Sequence, residues 1–74
     1  MKTKYKYIEF TPMAGQEAWV IRNIRSGAEI GVVTWYPRWR RYVFVTDKDI
    51  VWSMDCLQDV QDFVKQLLAK EAEK

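Results

Sequence analysis

Apolar and polar residues alternate with a period near two along much of the chain, and each alternating run ends in turn-forming residues. Residues 5–10 (YKYIEF) alternate and are rich in aromatics, which predicts a strand. Pro12 and Gly15 break it. Residues 18–24 (AWVIRNI) predict a second strand and residues 29–35 (EIGVVTW) a third. The connection between them is short and holds Gly27, which is free to take a positive φ, so these two strands are expected to pair antiparallel. Pro37 cannot donate to a ladder and is expected in the loop after the third strand. Residues 40–45 (RRYVFV) predict a fourth strand and residues 50–54 (IVWSM) a short fifth, separated by a polar turn at 46–49.

Alternation also sorts the side chains. Trp19, Ile21 and Asn23 oppose Val20, Arg22 and Ile24. Gly31, Val33 and Trp35 oppose Ile30, Val32, Thr34 and Tyr36. Arg40, Tyr42 and Phe44 oppose Arg41, Val43 and Val45.

The period then lengthens. Asp55 is a favourable N-cap, and Gln58 three residues on completes a capping box. At roughly 100° per residue, Cys56, Leu57, Val60, Phe63, Val64, Leu67 and Leu68 fall within an arc of roughly 140°. This predicts an amphipathic helix of about 15 residues, fraying over 69–74. Asp59 and Asp62 lie toward its positive end, and Lys70 and Lys74 toward its negative end. The expected fold is α+β: an antiparallel β-meander of four to five strands with one C-terminal helix packed on one face, residues 1–74 forming a single domain. One helix covers one sheet face. The apolar strand surface exceeds what that helix can bury, so the other face is expected to be wet, paired with another molecule, or partly folded over on itself.

Composition narrows the chemistry. A chain of 74 residues buries only about 60–65% of its unfolded surface, so its core is marginal unless supplemented. Cys56 is the only cysteine and there is no histidine, so neither an internal disulfide nor a metal site is expected. No apolar run reaches membrane-spanning length, and the basic residues 1–6 precede no signal-like apolar stretch. The expected location is cytoplasmic, with no membrane partner. Residues 1–48 hold nine Lys/Arg against four acids (+5), and residues 49–74 hold three against six (−3), so the charge separates along the chain.

Residues 35–42 (WYPRWRRY) concentrate four large aromatics and three arginines with no carboxylate. Three readings compete. Trp35, Trp39 and Tyr42 can be core or loop anchors covered by arginine stems. Arginines with interleaved aromatics also suit phosphates and stacked bases. Trp, Tyr and Arg equally dominate protein–protein hot spots. The candidate binding residues for nucleic acid or a partner protein are Tyr36, Arg38, Trp39, Arg40, Arg41 and Tyr42. Lys2, Lys4 and Lys6 would share one face of an edge strand, either guarding it by charge or extending the basic surface. Cys56, at the first helical position, reads as a structural thiol. No carboxylate has an acid–base partner, residues 47–49 are too short for a calcium loop, and no phosphate-cradling glycine loop is present. No enzymatic activity, cofactor, metal or small-molecule substrate is expected.

The string W-Y-P-x-W-R-x-Y, followed by an apolar strand and a helix opening D-C-L-x-D-x-x-D-F, resembles small uncharacterised proteins encoded by bacteriophages and prophages, over residues 19–68. That resemblance implies a mobile-element context in a bacterial host and no particular mechanism. More loosely, strands followed by a C-terminal helix resemble the arm-type DNA-binding domains of tyrosine recombinases, a likeness of fold alone. The leading expectation is a phage-type accessory protein binding nucleic acid through a basic, aromatic sheet face. The alternative is a protein–protein module, either a homodimer or an inhibitor of a host protein.

Overall fold

The computed structural model describes residues 1–72, and for Ala72 the backbone only. Four strands, β1 (Ile8–Pro12), β2 (Ala18–Asn23), β3 (Glu29–Tyr36) and β4 (Arg41–Thr46), form one sheet in the order β1-β2-β3-β4, each antiparallel to the next. One helix, α1 (Met54–Ala72), packs on one face of it. This is the α+β meander that the alternation predicts.

Phe63 of α1 is the centre of the core. Its ring stacks on Phe10 with centroids 4.0 Å apart and planes 5° from parallel, and Trp19 meets it edge-on at 4.9 Å. Ile8, Ile21 and Val33 lie fully buried under the helix, with Val60 and Leu67 flanking Phe63. Leu68 lies outside this set at 49% exposure, at the margin of the predicted apolar arc.

The meander departs from the predicted boundaries at both ends. Residues 1–7 form no long strand. Tyr5 donates its N–H to Ile8 O at 2.8 Å and Phe10 its N–H to Thr3 O at 2.8 Å, with a bridge between Lys4 and Glu9. The chain therefore turns back before β1 and lies along its outer edge. The burial of Tyr5 fixes this turn: its Oη donates to Asp62 Oδ2 at 2.6 Å and accepts from Gln66 Nε2 at 2.9 Å. The predicted fifth strand is not a strand. Residues 50–53 cross the helix-covered face without joining the ladder. The Trp52 ring meets Phe44 edge-on at 4.8 Å, and its Nε1 donates to Thr46 Oγ1 at 2.6 Å. The alternation of Ile50 and Trp52 inward with Val51 outward, at 95% exposure, arises from this packing and not from sheet pairing.

Ser53, not Asp55, caps the helix. Its Oγ accepts the Cys56 N–H at 3.1 Å, and its carbonyl accepts the Leu57 N–H at 3.1 Å. Asp55 and Cys56 are thus the second and third helical residues, and Asp55 faces the positive end of the dipole. The helix is 19 residues long and regular through Ala72, beyond the predicted fraying point; Lys74 lies outside the described residues.

One irregularity changes the face assignment. Ile21 pairs with Gly31 but Arg22 with Glu29, which leaves Ile30 as an extra residue in β3. Ile30 turns into the core instead of following Val32, Thr34 and Tyr36. Elsewhere the predicted alternation holds. Phe10, Trp19, Ile21, Gly31, Val33, Trp35, Tyr42 and Phe44 share the helix-covered face through their registers. Thr11, Val20, Val32, Val43 and Val45 share the other, which has no covering element among the described residues.

Candidate interaction surface

The β3–β4 hairpin presents most of residues 35–42. Tyr36 and Arg41 are the last registered pair, and residues 37–40 form the loop. Trp39 donates its N–H to Tyr36 O at 3.1 Å and Arg40 to Pro37 O at 3.2 Å, so the loop is two successive tight turns. Pro37 occupies the second position of the first turn, where its fixed φ suits the geometry. Arg40 then takes a φ of 53°, a left-handed conformation that redirects the chain into β4. These turns carry Arg38, Trp39 and Arg40 to the tip and leave Trp39 64% exposed. Its ring meets Tyr36 edge-on at 5.0 Å.

Tyr36, Arg38, Trp39, Arg40 and Arg41 therefore come together. Tyr42 does not join them. It lies on the helix-covered face, edge-on to Trp35 at 5.2 Å, and donates its hydroxyl to Glu71 Oε1 at 2.9 Å. Burial, then the Glu71 hydrogen bond and charge, push its pKa up to about 12. Tyr5 is raised further still, by burial first and by the Asp62 hydrogen bond second. Both phenols clip sheet-side structure to the acidic helix.

The open face has a composition different from the expected basic, aromatic platform. Its floor is aliphatic: Val20, Val32, Val43 and Val45, with Thr11 and Thr34. Val45 is 56% exposed. A shallow hollow lined by Thr34, Tyr36, Trp39, Val43 and Val45 joins this floor to the hairpin. The sequence shows these valines as alternating positions, but only the position of α1 distinguishes them from core valines. The arginines rim the floor at the hairpin end. At the other end Arg22 pairs with Glu29 at 3.1 Å, the one ion pair among the described residues, so none of the three hairpin arginines is neutralised there.

The amino-terminal lysines do not extend this rim. Lys2 is held against α1 by backbone bonds to Gln66 at 2.7 and 2.8 Å, and its ammonium sits 4.5 Å from the Tyr5 ring centroid. Lys4 bridges to Glu9 beside β1, at the opposite edge of the sheet from β4. Cys56 is half-buried against the core. Among the described residues no His/Cys/Asp/Glu group has the makings of a metal site, and no helix is long and apolar enough to cross a membrane.

The surface is thus an apolar floor with a Tyr/Trp edge and a guanidinium rim. No protein-family model, curated protein sequence or solved structure matches the chain.

Proposed function

We propose that this chain is a non-enzymatic interaction protein that docks a partner protein on the open face of its sheet. The valine floor running into the exposed Trp39 indole carries this reading. Contiguous apolar surface of this kind marks a docking site, and valine offers neither a stacking plane to a base nor a donor to a phosphate. Tyr36 and Trp39 anchor the partner, and Arg38, Arg40 and Arg41 favour one with an acidic patch beside its apolar contact. The resemblance to phage-encoded proteins makes a protein of the bacterial host cytoplasm the proposed partner class. The test is affinity capture from such a host with the wild-type chain and with Val45→Lys, Trp39→Ala and the exposed helix control Gln58→Ala. A stoichiometric protein retained by wild type and Gln58→Ala but lost with the other two supports the proposal. Capture indifferent to Val45→Lys and Trp39→Ala sinks it.

A second reading has its own observation: three arginines with no ion pair among the described residues flank an exposed indole at a hairpin tip. In this reading the hairpin alone, and not the sheet face, contacts nucleic acid, with the guanidinium groups on phosphates and Trp39 stacked or wedged between bases. A salt titration of single-stranded and duplex DNA binding decides it. Binding that falls with rising salt and disappears in an Arg38/Arg40/Arg41→Ala triple variant supports it, and absence of binding at low salt removes it.

A further inference from the structure

The two edges of the sheet are treated differently. Along β1 the chain folds back: Thr3 O accepts from Phe10, Lys4 bridges Glu9, and Pro12 removes a donor at the strand end. The outer edge of β4 has no such cover. Trp35 sends its N–H to Glu17 O on the β2 side at 3.0 Å, so by alternation Thr34 and Tyr36 point theirs at β4, and Val43 and Arg41 point back. Asp47 continues that parity by donating its N–H to Ile30 O at 3.1 Å. Tyr42, Phe44 and Thr46 therefore aim their backbone groups away from the sheet. Among the described residues, no backbone or side-chain partner outside β3 meets those backbone groups. Between Arg41 and Thr46 this edge has no proline, glycine or charged residue to discourage pairing.

We propose that β4 pairs antiparallel with β4 of a second copy of this chain, about a two-fold axis at Phe44. This register uses the whole free edge. Phe44 faces the partner's Phe44, and Tyr42 faces the partner's Thr46, each as a hydrogen-bonded pair. Charge selects the same register. Arg41 comes opposite the partner's Asp47, and the partner's Arg41 opposite Asp47, so unlike charges close both ends of the new ladder. Arg40 and Lys48 would meet next, but both lie in turns beyond the ladder, Arg40 with its left-handed φ. Other registers on this edge leave outward-pointing groups unpaired and separate Arg41 from Asp47. On the solvent side Val43 falls beside the partner's Val45, so the two valine floors join into one. Tyr42, Phe44, Gln61, Val64 and Lys65 line a groove between β4 and α1, on the sheet face that carries these new ring pairs.

The inference is independent of what the open face binds. Sedimentation equilibrium of the full chain up to roughly 100 μM is the first measurement, since a six-residue ladder falls among the smaller, reversible interfaces. A monomer–dimer equilibrium is expected. Hydrogen exchange should show concentration-dependent protection at the amides of Tyr42, Phe44 and Thr46 and nowhere else in the sheet. Asp47→Arg and Arg41→Asp alone should each weaken the dimer about tenfold, and the two together should restore it. Val20→Lys, on the open face away from this edge, should leave dimerisation unchanged while weakening partner docking, so failure of either proposal is visible apart from the other. A monomer throughout, a dimer without that amide protection, or a double reversal that fails to restore pairing overturns the inference.

Discussion

Gly31 shows how one missing side chain positions several others. A Cβ built there would lie 3.0 Å from Val45 O, 3.1 Å from Phe44 Cε1 and 3.4 Å from Trp52 Cζ2. The nearest atom is strand backbone, which would have to give by a few tenths of an ångström, and the next two are rings packed edge-to-face. Gly31→Ala should therefore destabilise by about 1–3 kcal/mol in denaturant titration, with Trp52 fluorescence reporting the displaced ring. Tyr42 provides a second test at this scale. Its folded pKa is raised from 10.0 to about 12, so between those values the unfolded chain loses a proton that the folded chain keeps. Stability is unaffected by this group below pH 10 and declines as pH rises from 10 to about 12. Tyr5 shifts in the same direction and steepens the decline. Tyr42→Phe should flatten the alkaline limb of a stability–pH profile, while lowering neutral-pH stability by about 0.5–1.5 kcal/mol through the lost Glu71 hydrogen bond. An unchanged alkaline limb would contradict the assigned shift.

Among the elements, the start of α1 shows packing overriding a capping pattern. Asp55 with Gln58 matches a capping box, yet Ser53 makes the cap, because Trp52 must reach over Gly31 to Phe44 and Thr46 and thereby fixes where the helix begins. Ser53→Ala should lower the melting temperature by an amount equivalent to about 1 kcal/mol, and Asp55→Ala, which loses only a dipole contact, by about 0.3–1 kcal/mol. The reverse order would place the cap where the spacing predicted it. The same tension explains what else was and was not legible. Four strands and the helix were readable because alternation and the 3.6 period are set by which side chains must be buried. The extra residue at Ile30 was not, since a bulge leaves the apolar pattern intact and changes only the register. Residues 50–54 mimic a strand because Ile50 and Trp52 alternate for a packing reason with no ladder behind it. Residues 35–42 form one string in sequence, yet alternation places Tyr42 with Phe44 on the helix-covered face and away from the arginines. The valine floor carried no distinguishing residue type, so only the position of the helix exposed it.

Taken as a whole molecule, the chain divides into a sheet side that is apolar with a basic hairpin and a helix side that carries Asp55, Asp59, Asp62 and Glu71. Two aromatic residues on opposite sides of that division should respond to truncation in opposite ways. Phe63 is fully buried between Phe10 and Trp19, and Phe63→Ala should cost about 3–5 kcal/mol. For a chain of 74 residues with a total stability of about 4–11 kcal/mol, that loss removes a quarter or more of it, and at the lower end of the range it leaves the unfolded state substantially populated. Trp39 is 64% exposed, and its ring meets the edge of Tyr36. Trp39→Ala should change stability by less than about 1 kcal/mol and leave far-ultraviolet circular dichroism and the melting transition in place. If the open face is the docking surface, the same substitution should cost about 2 kcal/mol or more of partner affinity, a hot-spot effect without a folding effect. A Trp39→Ala variant that unfolds with the ease of Phe63→Ala would show that the indole holds the hairpin together and would return residues 35–42 to a structural role.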